Sequence, residues 1–192
     1  MSDPAVAYDD VRKWTYADYK DWELKPGERF ELINGVAYAM AAPNTAHQLI
    51  VSAITGEFHS FLKGKKCKAI PSPYDVRLFY EEDESDDTVV QPDLVVVCDP
   101  EKLGPEGCRG APDLVVEILS PSNTAIEMNR KLELYMKAGV REYWIIDPEQ
   151  KSVVIYRFNG DRNGIFNMRN NDTLKTDLFP GLEIPLETVF SG

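Results

Sequence analysis

Histidine is nearly missing from this chain of 192 residues: only His47 and His59 occur. A zinc site or a histidine-centred nucleophilic triad is therefore not expected. Cysteine is scarce as well. Cys67, Cys98 and Cys108 are odd in number and lack metal-ligand spacing, so they suit a reducing cytoplasm, with Cys98 read as a buried strand residue. No apolar run approaches the roughly 20 residues that span a bilayer. The first residues, MSDPAVAYDDVRKW, carry no basic n-region and no apolar h-region, so no secretory signal and a cytoplasmic location are expected. Basic residues are in deficit, 21 Lys and Arg against 32 Asp and Glu, for a formal net charge of −11. That balance argues against a protein that coats nucleic acid nonspecifically. It leaves room for a local basic groove, and it suits a carboxylate-rich metal site. No linker, repeat or low-complexity segment splits the chain, so one domain over 1–192 is expected, with 1–10 as a loose tail.

What is present is organised around Gly110 to Asp147, which reads strand, turn, helix, strand. Leu114 to Leu119 is an apolar, β-rich run with one carboxylate, Glu117, set into it. Strand side chains alternate, so Asp113, Val115, Glu117 and Leu119 share a face. A carboxylate in such a strand either points into a cleft or pairs with a nearby Lys or Arg for structural reasons. Ser120-Pro121-Ser122-Asn123 breaks the strand, Thr124 with Glu127 forms a T-x-x-E capping box, a helix runs to Ala138, and Gly139 stops it.

Upstream, a short helix is expected over TYADYKDWEL, closed by Pro26-Gly27. A hairpin follows over Arg29 to Ala39, turning at Asn34-Gly35 and carrying Glu31 in its first arm. Thr45 is read as the cap of an amphipathic helix to about Lys63, with His47 in its first turn as a capping or packing residue. Lys63, Lys65, Lys66 and Lys68 make the densest basic patch, either a solvated helix end or a set of phosphate contacts. One strand is expected around Tyr74 to Phe79, then a solvated acidic loop over 81–87, then one strand over 89–97 interrupted by Pro92-Asp93. Residues 99–111 read as a loop and the C-terminal part as edge strands.

Glu31, Asp93 and Glu117 interrupt strands of what reads as one sheet. Converging carboxylates repel unless a cation neutralises them, and oxygen-rich sites suit Mg²⁺ or Mn²⁺. Taken together, FELINGVAY, QPDLVVV, APDLVVEILSPSN and KLELYMKAGVREYWIIDP resemble the Uma-two family of restriction-endonuclease-like proteins, within the PD-(D/E)xK superfamily. The resemblance implies an α/β fold with an αβββαβ core, a mixed central sheet flanked by helices, an N-terminal helix and hairpin extension, and C-terminal strands. It implies a metal-dependent endonuclease acting on DNA, with Mg²⁺ or Mn²⁺ held by Glu31, Asp93 and Glu117, and homodimerisation as in many members. The superfamily lysine should stand where this chain has Leu119, and the resemblance moves that role to Lys131. From the residues alone, Lys131 is instead an i,i+4 partner of Glu127 on a helix surface. Asp113 ranks below Asp93 as a ligand. Two other functions stay open: a catalytically inactive nuclease fold that binds a partner, and a phosphodiesterase on a non-DNA substrate.

Overall fold

A computed structural model of the chain describes residues 12–158 and 164–191; the expected tail at 1–10 lies outside them. The elements, in chain order, begin with α1 (Tyr16–Tyr19), β1 (Phe30–Ile33), β2 (Val36–Ala39), α2 (Thr45–Leu62), β3 (Lys68–Pro71), β4 (Val76–Arg77), β5 (Val89–Val90) and β6 (Leu94–Val97). After a 3-10 turn come β7 (Leu103–Gly104), β8 (Gly107–Arg109), β9 (Leu114–Ile118), α3 (Ala125–Ala138), β10 (Glu142–Asp147) and β11 (Ser152–Arg157). The chain finishes with β12 (Gly164–Arg169), β13 (Thr173–Lys175), β14 (Glu183–Pro185) and α4 (Leu186–Val189).

The central sheet has the order β12-β11-β10-β9-β6-β3. Only β9 and β10 in it are parallel, and α3 supplies the crossover that parallel strands require. Within this sheet and its helices, α2-β3-β6-β9-α3-β10 reproduces the expected αβββαβ order. Leu94, Val95, Val96 and Val97 are all buried, as in a strand covered on both faces. Leu94, Val96, Leu114, Val116, Trp144 and Ile146 face α2 and the C-terminal segment, packing on Ile54, Phe58 and Phe179. Val95, Val97, Val115, Tyr143 and Ile145 face the other way, onto Leu134 and Tyr135 of α3 and onto Ile33, Val76 and Cys108.

A second sheet, β2-β1-β5-β4-β8-β7, gathers the hairpin and the short strands of two insertions. This corrects the expectation of a single sheet, since Glu31 belongs to the second one. The run 89–97 is likewise not one strand. It leaves the second sheet at β5 and enters the central one at β6, with Gln91 and Pro92 at the break. Proline has no N–H for a ladder, and the Gln91 N–H goes to Glu31 Oε1 at 3.0 Å. The segment expected as one strand around Tyr74 to Phe79 divides similarly, into β3 before it and the two-residue β4 within it.

Smaller corrections have local causes. α1 ends at Tyr19, where Trp22 turns back to pack on Trp14, Tyr19 and Phe30. Asn44, not Thr45, caps α2, its side chain accepting from His47 N at 2.9 Å. The acidic loop is only partly solvated, because Asp86 is buried and paired with Arg77, whose guanidinium also lies 3.8 Å from the Tyr16 ring centre. The expected loop at 99–111 holds β7 and β8, and α4 was not anticipated. The β3–β6 register pairs Lys68 with Val97, which sets Cys67 beside Cys98 one step further on; the two form a disulfide, and Cys98 is half-buried just past β6. Cys108 is the free, buried thiol, its pKa pushed up to about 11 by burial. Among the described residues no helix is long and apolar enough to cross a membrane.

Candidate active site

Asp93 and Glu117 meet because of register. β6 and β9 pair Leu94 with Val116, so one further step sets Asp93 opposite Glu117. Asp93 Oδ2 then accepts the Ile118 N–H at 2.7 Å, which ties it to the strand beside Glu117. Glu31 arrives from the second sheet, anchored through Oε1 by the Gln91 N–H. Lys131 arrives from α3. Its Nζ donates to Glu117 Oε1 at 2.8 Å and to Glu31 Oε1 at 3.0 Å. All four side chains line one cavity of about 350 Å³.

The surface reading of Lys131 therefore does not hold. Glu127 spends its carboxylate on the Thr124 capping box, at 2.8 Å to the Thr124 N–H, and Lys131 turns inward with a side chain only 19% exposed. One helical turn on, Tyr135 donates its hydroxyl to Glu117 Oε1 at 2.7 Å. The sequence reading does not single out Tyr135; its i+4 spacing from Lys131 was the available signal. His47 goes beyond a packing role too. It lines the cavity with Nε2 3.2 Å from Asp93 Oδ2, and its Nδ1 is buried with no partner among the described residues. Asp113 stays out of the cavity: it accepts from Cys98 N at 2.8 Å and Arg141 Nη1 at 3.3 Å. The Lys63 to Lys68 patch is also absent from the lining, lying at the far end of α2, roughly 24 Å along the helix from His47.

Burial decides the electrostatics of Glu117, and neighbouring charges decide those of Lys131 and His47. Burial pushes the Glu117 carboxyl up to about 7, against the opposing pull of Lys131, with Asp93 and Glu31 adding to the rise. Burial works against charge on Lys131, but Glu117 and Glu31 outweigh it and hold the ammonium's pKa well above the ordinary lysine value. The hydrogen bond to Asp93 raises His47, against burial. The Lys131 ammonium and the His47 ring thus face Glu31, Asp93 and Glu117.

Among the described residues no cluster of three or more His, Cys, Asp or Glu side chains stands in metal-binding geometry. The expected set of Glu31, Asp93 and Glu117 is gathered in one cavity without forming such a cluster. The physical reason is visible: the Lys131 ammonium already supplies charge between Glu31 and Glu117. The donor set still fits Mg²⁺ in a reduced form. Glu117 Oε2 and Asp93 Oδ1 carry no hydrogen bond among the described residues, and Mg²⁺ is commonly held by one or two carboxylates, with water and substrate phosphate completing its shell.

The family model of Uma2, "Putative restriction endonuclease", matches residues 16–187. The chain belongs to that family. An uncharacterized protein of Synechocystis sp. is 26% identical over 177 residues, spanning 91% of this chain and 90% of its own. A crystal structure from Anabaena variabilis, described as a "putative nuclease", superposes with a TM-score of 0.72 at 20% identity, covering 93% of this chain and 98% of that one. At that identity the likeness establishes the Uma2 chain's fold alone.

Proposed function

We propose that this Uma2 protein is a metal-dependent endonuclease that hydrolyses phosphodiester bonds in DNA. The observation that carries the reading is the meeting of Asp93, Glu117 and Lys131 along the lining of one cavity. Asp93 and Glu117 would hold Mg²⁺ or Mn²⁺ through their free oxygens, with Glu31 positioning Lys131 rather than acting as the third ligand. A bound divalent ion supplies charge for the phosphoryl oxygens and acidifies a water.

The chain's own groups have defined tasks. Lys131, held charged by two carboxylates, is no base near neutral pH; it stabilises negative charge on the phosphate. Tyr135 and Lys131 fix Glu117 through the same oxygen and leave the other without a hydrogen bond among the described residues. His47, raised by its hydrogen bond to Asp93, would hold that carboxylate in place, with Nε2 3.2 Å from Oδ2. Arg29 and Arg130 at the lining, Arg130 4.4 Å from the Tyr38 ring centre, supply the remaining positive charge for a nucleic-acid backbone.

The test is cleavage of supercoiled and linear DNA with Mg²⁺ or Mn²⁺, comparing wild type with Asp93→Ala, Glu117→Ala and Lys131→Ala. Metal-dependent cleavage lost in all three variants supports the reading. A second reading, an inactive nuclease fold that binds a partner, is favoured by Leu119 in the superfamily lysine's place and by the missing three-ligand cluster. It predicts no cleavage, with nucleic-acid binding unchanged in Glu117→Ala.

A further inference from the structure

The cavity contains its own counterion. Lys131 Nζ has two acceptors among the described residues, Glu117 Oε1 and Glu31 Oε1. Its side chain is partly exposed to the cavity and sits on a flexible four-carbon stem, so it can move without rearranging α3. A divalent ion on the other oxygen of Glu117 would stand close to this ammonium, and the two cations repel strongly in a poorly solvated site. A phosphodiester entering the cavity offers Nζ a different anion.

Resting on the nuclease reading above, we propose that Lys131 is an exchangeable counterion: it neutralises Glu117 in the free protein, competes there with a divalent ion, and transfers to the phosphate of a bound nucleic acid. Metal and nucleic acid then load cooperatively, and each tightens the other by the same factor. The free protein binds metal weakly, which fits the missing three-ligand cluster. A lysine that stays fixed between the two carboxylates would repel the ion as well, but an oligonucleotide would then change metal affinity equally with and without it.

The test is Mn²⁺ binding, by calorimetry and electron paramagnetic resonance, at pH 8.5 so that protons do not compete for the carboxylates. Wild type is compared with Lys131→Met and Lys131→Arg, each with and without a phosphorothioate-linked oligonucleotide. Lys131→Met is expected to bind Mn²⁺ about tenfold or more tightly than wild type, and Lys131→Arg to remain weak. The oligonucleotide should raise Mn²⁺ affinity more in wild type than in Lys131→Met. Lys131→Gln, which keeps donors for both carboxylates, replaces the methionine variant if that one does not fold. Equal or weaker Mn²⁺ binding by a folded neutral variant overturns the counterion role and leaves the metal site standing. No Mn²⁺ binding by any form, with or without oligonucleotide, overturns the counterion role and the metal-dependent reading together.

Discussion

Replacing Glu117 with glutamine should stabilise the fold above neutral pH. Glu117 is 14% exposed, and its carboxyl is raised from an ordinary 4.5 to about 7, first by burial. At roughly 1.4 kcal/mol per pH unit, keeping it ionised in the folded state costs on the order of 3 kcal/mol. The sign follows from linkage. A carboxyl raised on folding contributes stability that is full below its unfolded pKa and is lost as pH rises through its folded pKa. Wild type should therefore lose up to about 3 kcal/mol between pH 4.5 and 7 that Glu117→Gln does not lose. Glutamine keeps an acceptor for Lys131 and Tyr135, and Lys131 keeps Glu31 at 3.0 Å. The two proteins should be about equally stable near pH 4.5, with the variant ahead at pH 8 by up to about 3 kcal/mol, or roughly 6–12 °C in Tm. Urea unfolding at pH 5, 6, 7 and 8 measures the difference directly. A variant no more stable than wild type at pH 8 would refute the reasoning, because it would mean that Lys131 fully compensates the buried charge. If activity falls as stability rises, the carboxylate is retained for function at a cost to the fold.

Other expectations follow from the same structure. Tyr135→Phe removes a donor from Glu117, so the carboxyl should rise further and the acid limb of any pH–rate profile should move to higher pH; an unmoved limb would remove Tyr135 from the site. Asp86→Ala leaves the buried Arg77 uncompensated and should cost about 3–5 kcal/mol by urea denaturation, against the under 1 kcal/mol of an ordinary surface pair. Phe58→Ala should cost about 3–5 kcal/mol in the same assay, since Phe58 is fully buried against Trp144 and Phe179.

Much of the core could be read in the sequence, because local rules govern it. The Asn34-Gly35 hairpin, the Thr124 and Glu127 capping box, the Gly139 stop with φ of 91°, and the alternation along β9 all appear where the residues place them. Each depends on a turn conformation, a cap or a two-residue period. The long apolar run at 89–97 misled because hydrophobicity reports burial, and both sheets bury their strands; only pairing shows that the chain changes sheet at Gln91 and Pro92.

The site divides the same way. By itself the sequence determined which side chains carry charge and which break an apolar strand, and this was enough to single out Glu31, Asp93 and Glu117. Lys131 came from the resemblance, since an i,i+4 partner on its own helix explained it equally well. Tertiary structure alone decided that Lys131 turns inward, that His47 joins Asp93, that Tyr135 shares an oxygen with the lysine, and that Cys67 meets Cys98. The reason is distance along the chain. Glu31 and Lys131 are 100 residues apart and touch through the packing of α3 between two sheets. No local period or propensity encodes such a contact; it exists only once the layers have assembled.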